Sequence, residues 1–372
     1  MEGQHPDNPL PRRTLIHIVA SGAWGGPQRY ALDICRHFRD AGWKVRVITR
    51  DAKAVDTPFL NEGISVRHAP LRDYPDIYSA MTLAAIMRHI PRGEGIVHVH
   101  RYNDALTAIV ARRLARRPDI RLVSSRHKAD LGIRSLIRRI VYAGIDRHLF
   151  VSEFSRRRFL SVWPDGKCPV APEKMSVAFN SLLSPEKEMR PEPEKGPVVA
   201  LYRGGLKPGK GLETLIDALS LIKDIKLRLR IMGRGLPDYV DKLRRRAAAR
   251  GIMERIDWVR RPEFPADTLD QCHFGVFPSA SPEAFGMANL ELMACGRPQI
   301  STFTGGQKEF LTPGSDTLEV APADASSLAE AMRRLASDPE LRHRMGKNAY
   351  ANYTSRLSWP RFLERLIPAY LK

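Results

Sequence analysis

Twice along the chain a short apolar run enters a glycine-rich turn and leaves it through an amphipathic helix, and no other feature restricts the fold so severely. The first run, Leu15-Ile-His-Ile-Val-Ala20, passes through Ser21-Gly-Ala-Trp-Gly-Gly26 into a helix with Tyr30, Leu32, Ile34, Cys35 and Phe38 apolar. Gly42 closes that helix, and Lys44-Val-Arg-Val-Ile-Thr49 supplies a second strand. The second copy is Pro197-Val-Val-Ala-Leu-Tyr202, then Arg203-Gly-Gly-Leu-Lys-Pro-Gly-Lys-Gly211, then a helix over Leu212 to Ile222. Continuous apolar strands suit a sheet covered on both faces, and a strand that reaches the next through a helix builds a parallel β-α-β unit.

The alternation continues on both sides. Strand-like runs recur at Ile64–His68, Ile96–His100, Ile120–Ser124 and Arg147–Val151, with helical periodicity over Tyr78–His89, Ala105–Arg116 and Ile133–Tyr142. A last short strand is expected at Val177–Asn180, and Ser181 to Pro197, rich in proline, glutamate and lysine without periodicity, reads as a linker. Beyond it, strands are expected at Leu227–Met232, Ile256–Arg260, Phe274–Phe277 and Gln299–Thr302, and helices at Ala325–Ala336, Pro339–Tyr350 and from Ser358. A chain of 372 residues exceeds one ordinary core. The expectation is an α/β protein of two Rossmann-like parallel-sheet domains, over 1–180 and 198–355, joined by 181–197.

Charge and composition narrow the function classes. Residues 1–180 hold thirty lysines and arginines against seventeen acids, and the remainder thirty against twenty-four, so the net charge of +19 is concentrated in the first half. Its clusters are Arg112, Arg113, Arg116 and Arg117; Arg134, Arg138 and Arg139; and Arg156 to Arg158. Such a field attracts polyanions, although an arginine-rich solubilising surface reads the same way. No RNA-binding aromatic signature interleaves with the clusters, so an anionic membrane surface or a phosphorylated glycan fits better than nucleic acid. Met1 to Arg13 has no apolar core and no window approaches 18 apolar residues, so the protein is expected to stay in the cytoplasm. Cys35, Cys168, Cys272 and Cys295 are scattered without a C-x-x-C, as reduced core thiols are. His98 and His100 share a strand face but have no third ligand nearby, so they read as a hydrogen-bonded pair or substrate contact and not a metal site. Oligomeric state is not legible.

The chemistry is concentrated between Phe277 and Pro298. A strand ends at Phe277, a turn carries Glu283, and a helix begins near Phe285 or Gly286 with Glu291 in its second turn. Amide groups at a helix N-terminus have no partner inside the helix and favour a phosphate. The carboxylates would repel phosphate, but about 9–12 Å apart along such a helix they suit two hydroxyl groups at opposite ends of a sugar diphosphate. On spacing alone, the bland reading is favoured: Glu283 balances a helix dipole and Glu291 lies on a solvated face.

Glu283-Ala-Phe-Gly-Met-Ala-Asn-Leu-Glu291, with Met293-Ala294-Cys295-Gly296-Arg297-Pro298 after it, resembles the E-x7-E signature of retaining GT-B glycosyltransferases of family 4, departing at Leu292. Other stretches carry the same resemblance. The turn at Gly25 and Gly26 is similar to the family's G-G-x-E loop, with Pro27-Gln28 in place of Ala-Glu. Gly204 to Gly211 is similar to G-R-L-x-x-x-K-G, with Gly205 where the family has arginine, so that Arg203 or Lys207 would supply the second positive charge. His127 in Val123-Ser-Ser-Arg-His127 matches a histidine beside the acceptor.

The resemblance implies two domains facing across a cleft, with the terminal helix, 356–372, returning to the first. It implies transfer from a nucleotide-diphosphate sugar to a glycan, lipid-linked or phosphorylated acceptor in bacterial surface polysaccharide or lipopolysaccharide assembly, on the cytoplasmic face of the inner membrane. It also implies neither metal nor cofactor. Glu283, Lys210, Arg203 and His127 would carry the chemistry. Gly25, Gly26, Gly205, Lys210, Gly233, Phe285, Gly286, Met287 and Glu291 would hold the donor, with base contacts from Arg261 to Phe264 and sugar contacts near Thr304-Gly305-Gly306. A GT-B phosphorylase or sugar-nucleotide epimerase is the near alternative. Gly204 to Lys210 also satisfies G-x-x-x-x-G-K, but Gly211 stands where a P-loop phosphotransferase needs Ser or Thr for magnesium. A polyanion-binding protein is the remaining class.

Overall fold

The structure, a computed structural model, describes residues 11–73, 76–128, 135–163, 166–183, 189–260 and 269–371. The first apolar run becomes β1 (Thr14–Val19), buried along its whole length. It leads through α1 (Gly26–Asp40), β2 (Lys44–Thr49), α2 (Lys53–Asn61), β3 (Ser65–His68), α3 (Ile77–Arg88), β4 (Gly95–Val99), α4 (Tyr102–Ala115), β5 (Arg121–Arg126), α5 (Leu136–Ala143), β6 (Arg147–Phe150) and α6 (Glu153–Leu160) to β7 (Met175–Val177). These strands lie in the order β3-β2-β1-β4-β5-β6-β7, all pairs parallel. One face of the sheet buries Ile16, Ile18, Val97 and Val99 against Leu83, Ala84 and Ala108, while the other buries Val19 and Val47 against Cys35 and Phe59. Apolar residues on both faces are what make these strands continuous apolar runs.

The second sheet repeats the plan. β8 (Val198–Arg203), α7 (Leu212–Leu221), β9 (Leu227–Met232), α8 (Pro237–Ala249), β10 (Ile256–Val259), β11 (Phe274–Phe277), α9 (Met287–Ala294), β12 (Gln299–Ser301) and β13 (Thr317–Glu319) are followed by α10 (Ala325–Ser337), α11 (Pro339–Asn352) and α12 (Trp359–Leu371). The strand order is β10-β9-β8-β11-β12-β13, again parallel. Along β8, Val199 and Leu201 pack with Leu292 and Cys295, and Ala200 and Tyr202 join Leu215, Ile216 and Leu219 in the opposite core. Contacts divide the chain into two compact units. The first holds the chain through Val151, Ser155–Ala178 and the part of α12 from Leu363; the second holds Ser152–Phe154 and Phe179–Phe362.

Several elements differ from expectation for identifiable reasons. The strand expected at Val177–Asn180 is β7, which ends at Val177 because its partner β6 ends at Phe150. The sequence reading passed over α2, whose periodicity Pro58 interrupts, the two-turn α6, the basic α8, and β13, three residues long. Where it is described, the supposed linker belongs to the second unit. Ser181 Oγ donates to the Leu357 carbonyl at 2.6 Å, and the Arg297 guanidinium donates to the carbonyls of Arg190 at 2.8 Å and Pro191 at 2.6 Å. A segment without regular structure needs external donors for its carbonyls, and Arg297, 1% exposed, supplies them.

The basic clusters are also less available than their sequence suggests. Arg112 is committed to Asp146 and to the carbonyls of Ile120 and Gly144, and buried Arg117 to Asp119 and the carbonyls of Met87, Ile90 and Pro91. Arg134 and the segment 261–264 lie outside the described residues. Among the described residues, no helix is long and apolar enough to cross a membrane.

Replacing Arg297 by Met removes the donor shared by the half-buried Arg190 carbonyl and the Pro191 carbonyl, and the expected cost is about 1–2 kcal/mol. Urea denaturation checks this: the midpoint should fall, and an unmoved midpoint would show that the 190–191 backbone is satisfied without Arg297.

Candidate active site

In each sheet the strand order reverses once, between β1 and β4 and between β8 and β11. Loops leaving the carboxyl ends of the flanking strands diverge at such a point and leave room for a ligand. Among the described residues, the expected site residues fall at these two places or one strand to the side.

In the second unit, Arg203 ends β8 and the turn 204–211 leads into α7. Gly211, at φ 73°, forms the N-cap of α7, and a Cβ there would run into the Pro278 carbonyl. Both the backbone conformation and the close approach therefore require glycine. The amides of Ala280 and Ser281 each donate to the Gly209 carbonyl at 2.9 Å, Leu206 N–H donates to the Arg234 carbonyl at 2.8 Å, and Gly306 N–H donates to the Glu283 carbonyl at 2.8 Å. Thr304 Oγ1 donates to the Ser281 carbonyl at 3.0 Å. The loops after β8, β9, β11 and β12 are thus one hydrogen-bonded block.

Four charged side chains stand on it as two ion pairs, Lys210 Nζ with Glu283 and Arg203 Nη1 with Glu291. None is more than a quarter exposed: 21% and 23% in the first pair, 24% and 12% in the second. Ser279 Oγ lies 3.0 Å from Glu283 Oε1 and helps fix that carboxylate. Lys207, the other candidate for the second positive charge, is exposed, and Arg203 holds the position beside the carboxylates. Gly286, at φ 105°, is the N-cap of α9 and brings no side-chain cap. The first-turn amides, beginning with Met287, have no partner within the helix. Phe285 is buried and stacked on Phe310 at 4.4 Å, so its ring anchors the helix start and leaves its backbone as the part a ligand could reach. Gly205, whose carbonyl accepts from Tyr202 Oη at 3.0 Å, and Gly233 complete the expected donor set.

The first unit holds His127 just past β5, and Gly25 and Gly26 at the start of α1. His127 is the end of a cluster that sequence reasoning missed in part. His98 and His100 lie on one strand face with ring centroids 4.8 Å apart, as expected, but they do not bond each other. His98 bridges Tyr370 Oη (2.6 Å) and Ser125 Oγ (2.7 Å), and His100 bridges His17 (3.0 Å) and His127 (3.1 Å). His17 passes in the sequence for an interruption of an apolar run. Only the order of strands puts β1 next to β4 and His17 opposite His98. Tyr30, in α1, reaches Ser125 Oγ at 2.9 Å and meets the His127 ring edge-on at 4.8 Å. Burial pushes the imidazole pKa down to about 3 for His17 and about 4 for His127, and well below the usual range for His98 and His100. All four rings are neutral at pH 7.

A separate group, Asp51, Asp56 and His68, has ligand-type atoms within 4.8 Å of one another, but its contacts are those of an imidazole set between two carboxylates, 3.1 Å from Asp56 and 3.8 Å from Asp51.

Residues 24–180 match the family Glycosyltransferase Family 4, and residues 184–352 match Glycosyl transferases group 1. The chain is a family 4-like glycosyltransferase. An uncharacterized glycosyltransferase of Methanocaldococcus jannaschii is 32% identical over 164 residues, which are 43% of this chain and 44% of that protein. A D-inositol 3-phosphate glycosyltransferase of Frankia alni is 26% identical over 377 residues, 88% of this chain and 90% of that protein. The fold of the glycosyltransferase is shared with an Anabaena protein whose crystal structure is in complex with UDP and glucose, at a TM-score of 0.78 and 20% identity, covering 95% of this chain and 98% of that one.

The buried and half-buried histidines are expected to make the glycosyltransferase acid-sensitive. Their folded pKa lies below the unfolded value near 6.5, so the stability they confer is present above about pH 6.5 and lost as pH falls toward 4. For a ring held at about 4, as His127 and His148 are, the loss at pH 5 is about 2 kcal/mol. Unfolding free energies measured at pH 7 and pH 5 should differ in that direction; equal values would contradict neutral burial.

Proposed function

We propose that this enzyme moves a sugar from a nucleoside diphosphate sugar to a phosphorylated or lipid-linked acceptor with retention of anomeric configuration. The observation that carries the reading is the pair of ion pairs on the β8 and β11 loops. A pyrophosphate entering there exchanges with the carboxylates: Lys210 and Arg203 turn to phosphate oxygens, and the α9 N-terminus adds amide donors. Glu283 and Glu291, released from their cations, become acceptors for hydroxyls, Glu283 on the transferred sugar and Glu291 on the ribose. As the bond from the anomeric carbon to phosphate breaks, charge builds on the leaving diphosphate, and two cations with helix amides stabilise it without a metal ion. The acceptor oxygen bonds the anomeric carbon from the same face, and its proton passes to the departing phosphate. UDP is the nucleotide to try first, since the Anabaena structure contains it. The Frankia relative, named for inositol 3-phosphate, supports a phosphorylated acceptor.

Membrane proximity is part of the same proposal. Helix α5 turns Leu136, Ile137 and Ile140 to solvent in the half of the chain that carries most of the positive charge. An apolar ridge in a basic field suits an anionic bilayer surface, the setting of surface polysaccharide assembly.

Thermal shift with UDP-, GDP- and ADP-sugars tests the donor, since a ligand at one hundred times its Kd adds about 2.7 kcal/mol. Lys210→Met should lose stabilisation by the nucleoside diphosphate. Glu283→Gln should keep it, because Lys210 then has no carboxylate to leave, while transfer falls by about 100-fold or more. Transfer that survives both substitutions refutes the site. Vesicles rich in anionic lipid should retain the protein at low salt and release the Ile137→Asp variant; equal retention of the two would remove α5 from the proposal.

A further inference from the structure

His127 has one ring nitrogen in contact with His100 and another, Nδ1, without a hydrogen bond among the described residues. Which of the two carries the proton decides what His127 can offer a substrate. We propose that a relay of buried and half-buried hydrogen bonds running back to Tyr370 holds His127 as the Nε2–H tautomer, so that Nδ1 is presented to a substrate hydroxyl as a hydrogen-bond acceptor. The substrate half of this statement rests on the glycosyltransferase reading above; the tautomer half rests on the geometry alone.

Each neutral imidazole has one N–H and one lone pair, so a chain of them runs in a single sense. The sense is set at its shortest link. Tyr370 Oη and His98 Nδ1 are 2.6 Å apart, short for an imidazole N–H donor and ordinary for a hydroxyl donor. Tyr370 therefore donates and His98 Nδ1 accepts. His98 Nε2–H then donates to Ser125 Oγ at 2.7 Å, and the Ser125 hydroxyl turns toward Tyr30 Oη at 2.9 Å.

On the other side, the Tyr370 proton is already committed, so its oxygen faces His17 Nε2, 3.5 Å away, as an acceptor. His17 carries its proton on Nε2, and its Nδ1 accepts from His100 Nε2–H at 3.0 Å. His100 Nδ1 must then accept from His127 Nε2–H at 3.1 Å, which leaves the lone pair of His127 on Nδ1. The reversed sense would require an imidazole N–H to donate across the 2.6 Å link. A mixed sense would set two lone pairs, or two protons, against each other in a buried site. Burial keeps the rings neutral, as the chain requires. Tyr370 comes from the last helix and is held by ring contacts with Phe38 at 5.3 Å and Trp43 at 6.3 Å, so these contacts survive loss of its hydroxyl. Tyr370, His98, His17, His100 and Ser125 are positioning residues.

Long-range proton–nitrogen correlation on the full chain labelled with [15N]histidine reads the tautomer directly at pH 7, with His127 identified by the signals lost in His127→Gln. The expected result is a protonated Nε2 and a bare Nδ1. A protonated Nδ1 overturns the proposal. Tyr370→Phe and, independently, Ser125→Ala should let His127 populate the Nδ1–H form, and kcat for transfer should fall about tenfold with the donor KM within about twofold. A His127 tautomer unchanged in both folded variants refutes the relay. The nitrogen signals are read without substrate, so failure of the relay and failure of the transferase reading are separate results.

Discussion

The reversal of strand order between β1 and β4, and again between β8 and β11, is the constraint on which the rest of the molecule depends. A parallel sheet sends every loop from its strand ends to one edge, and at the reversal neighbouring loops run apart instead of covering each other. In the second sheet that geometry brings the turn after β8 against the turn after β11, although seventy residues separate Gly209 from Ser279. In the first sheet it brings His17 beside His98. Neither meeting depends on the chemistry of the residues that meet; sheet topology imposes both.

The loop block of the second unit is kept foldable by charge cancellation. Four charges on one loop block, each less than a quarter exposed, would be costly if unpaired. Paired as Lys210 with Glu283 and Arg203 with Glu291, they are neutral overall. The first unit solves a different problem, that of burying polar rings, by giving almost every nitrogen of four imidazoles a partner.

Much of this was legible before the fold was known. The strand at Phe274–Phe277, the cap at Gly286 and the position of Glu291 in α9 follow from an apolar run, a glycine with positive φ and helical spacing, all local properties. The glycine-rich turn before α7 was equally plain. The partners were not: Arg203 finds Glu291 across 88 residues, and no periodicity announces such a contact. Arg297 sat within the matching motif and yet its work, holding the backbone of residues 190 and 191, is structural. Arg112 and Arg117 belonged to an apparent basic patch and are internal donors.

By itself, then, the amino-acid order determined the elements, their parallel α/β class, the two-domain plan and the strand, turn and helix that carry Glu283 and Glu291. These depend on hydrophobic period, turn chemistry and capping, which act within a few residues. Tertiary structure alone decided which charges neutralise which, which arginines are surface and which are braces, and that four histidines form a hydrogen-bonded cluster. Those outcomes depend on strand order and loop contact, which join residues far apart in the chain through geometry that no local pattern encodes.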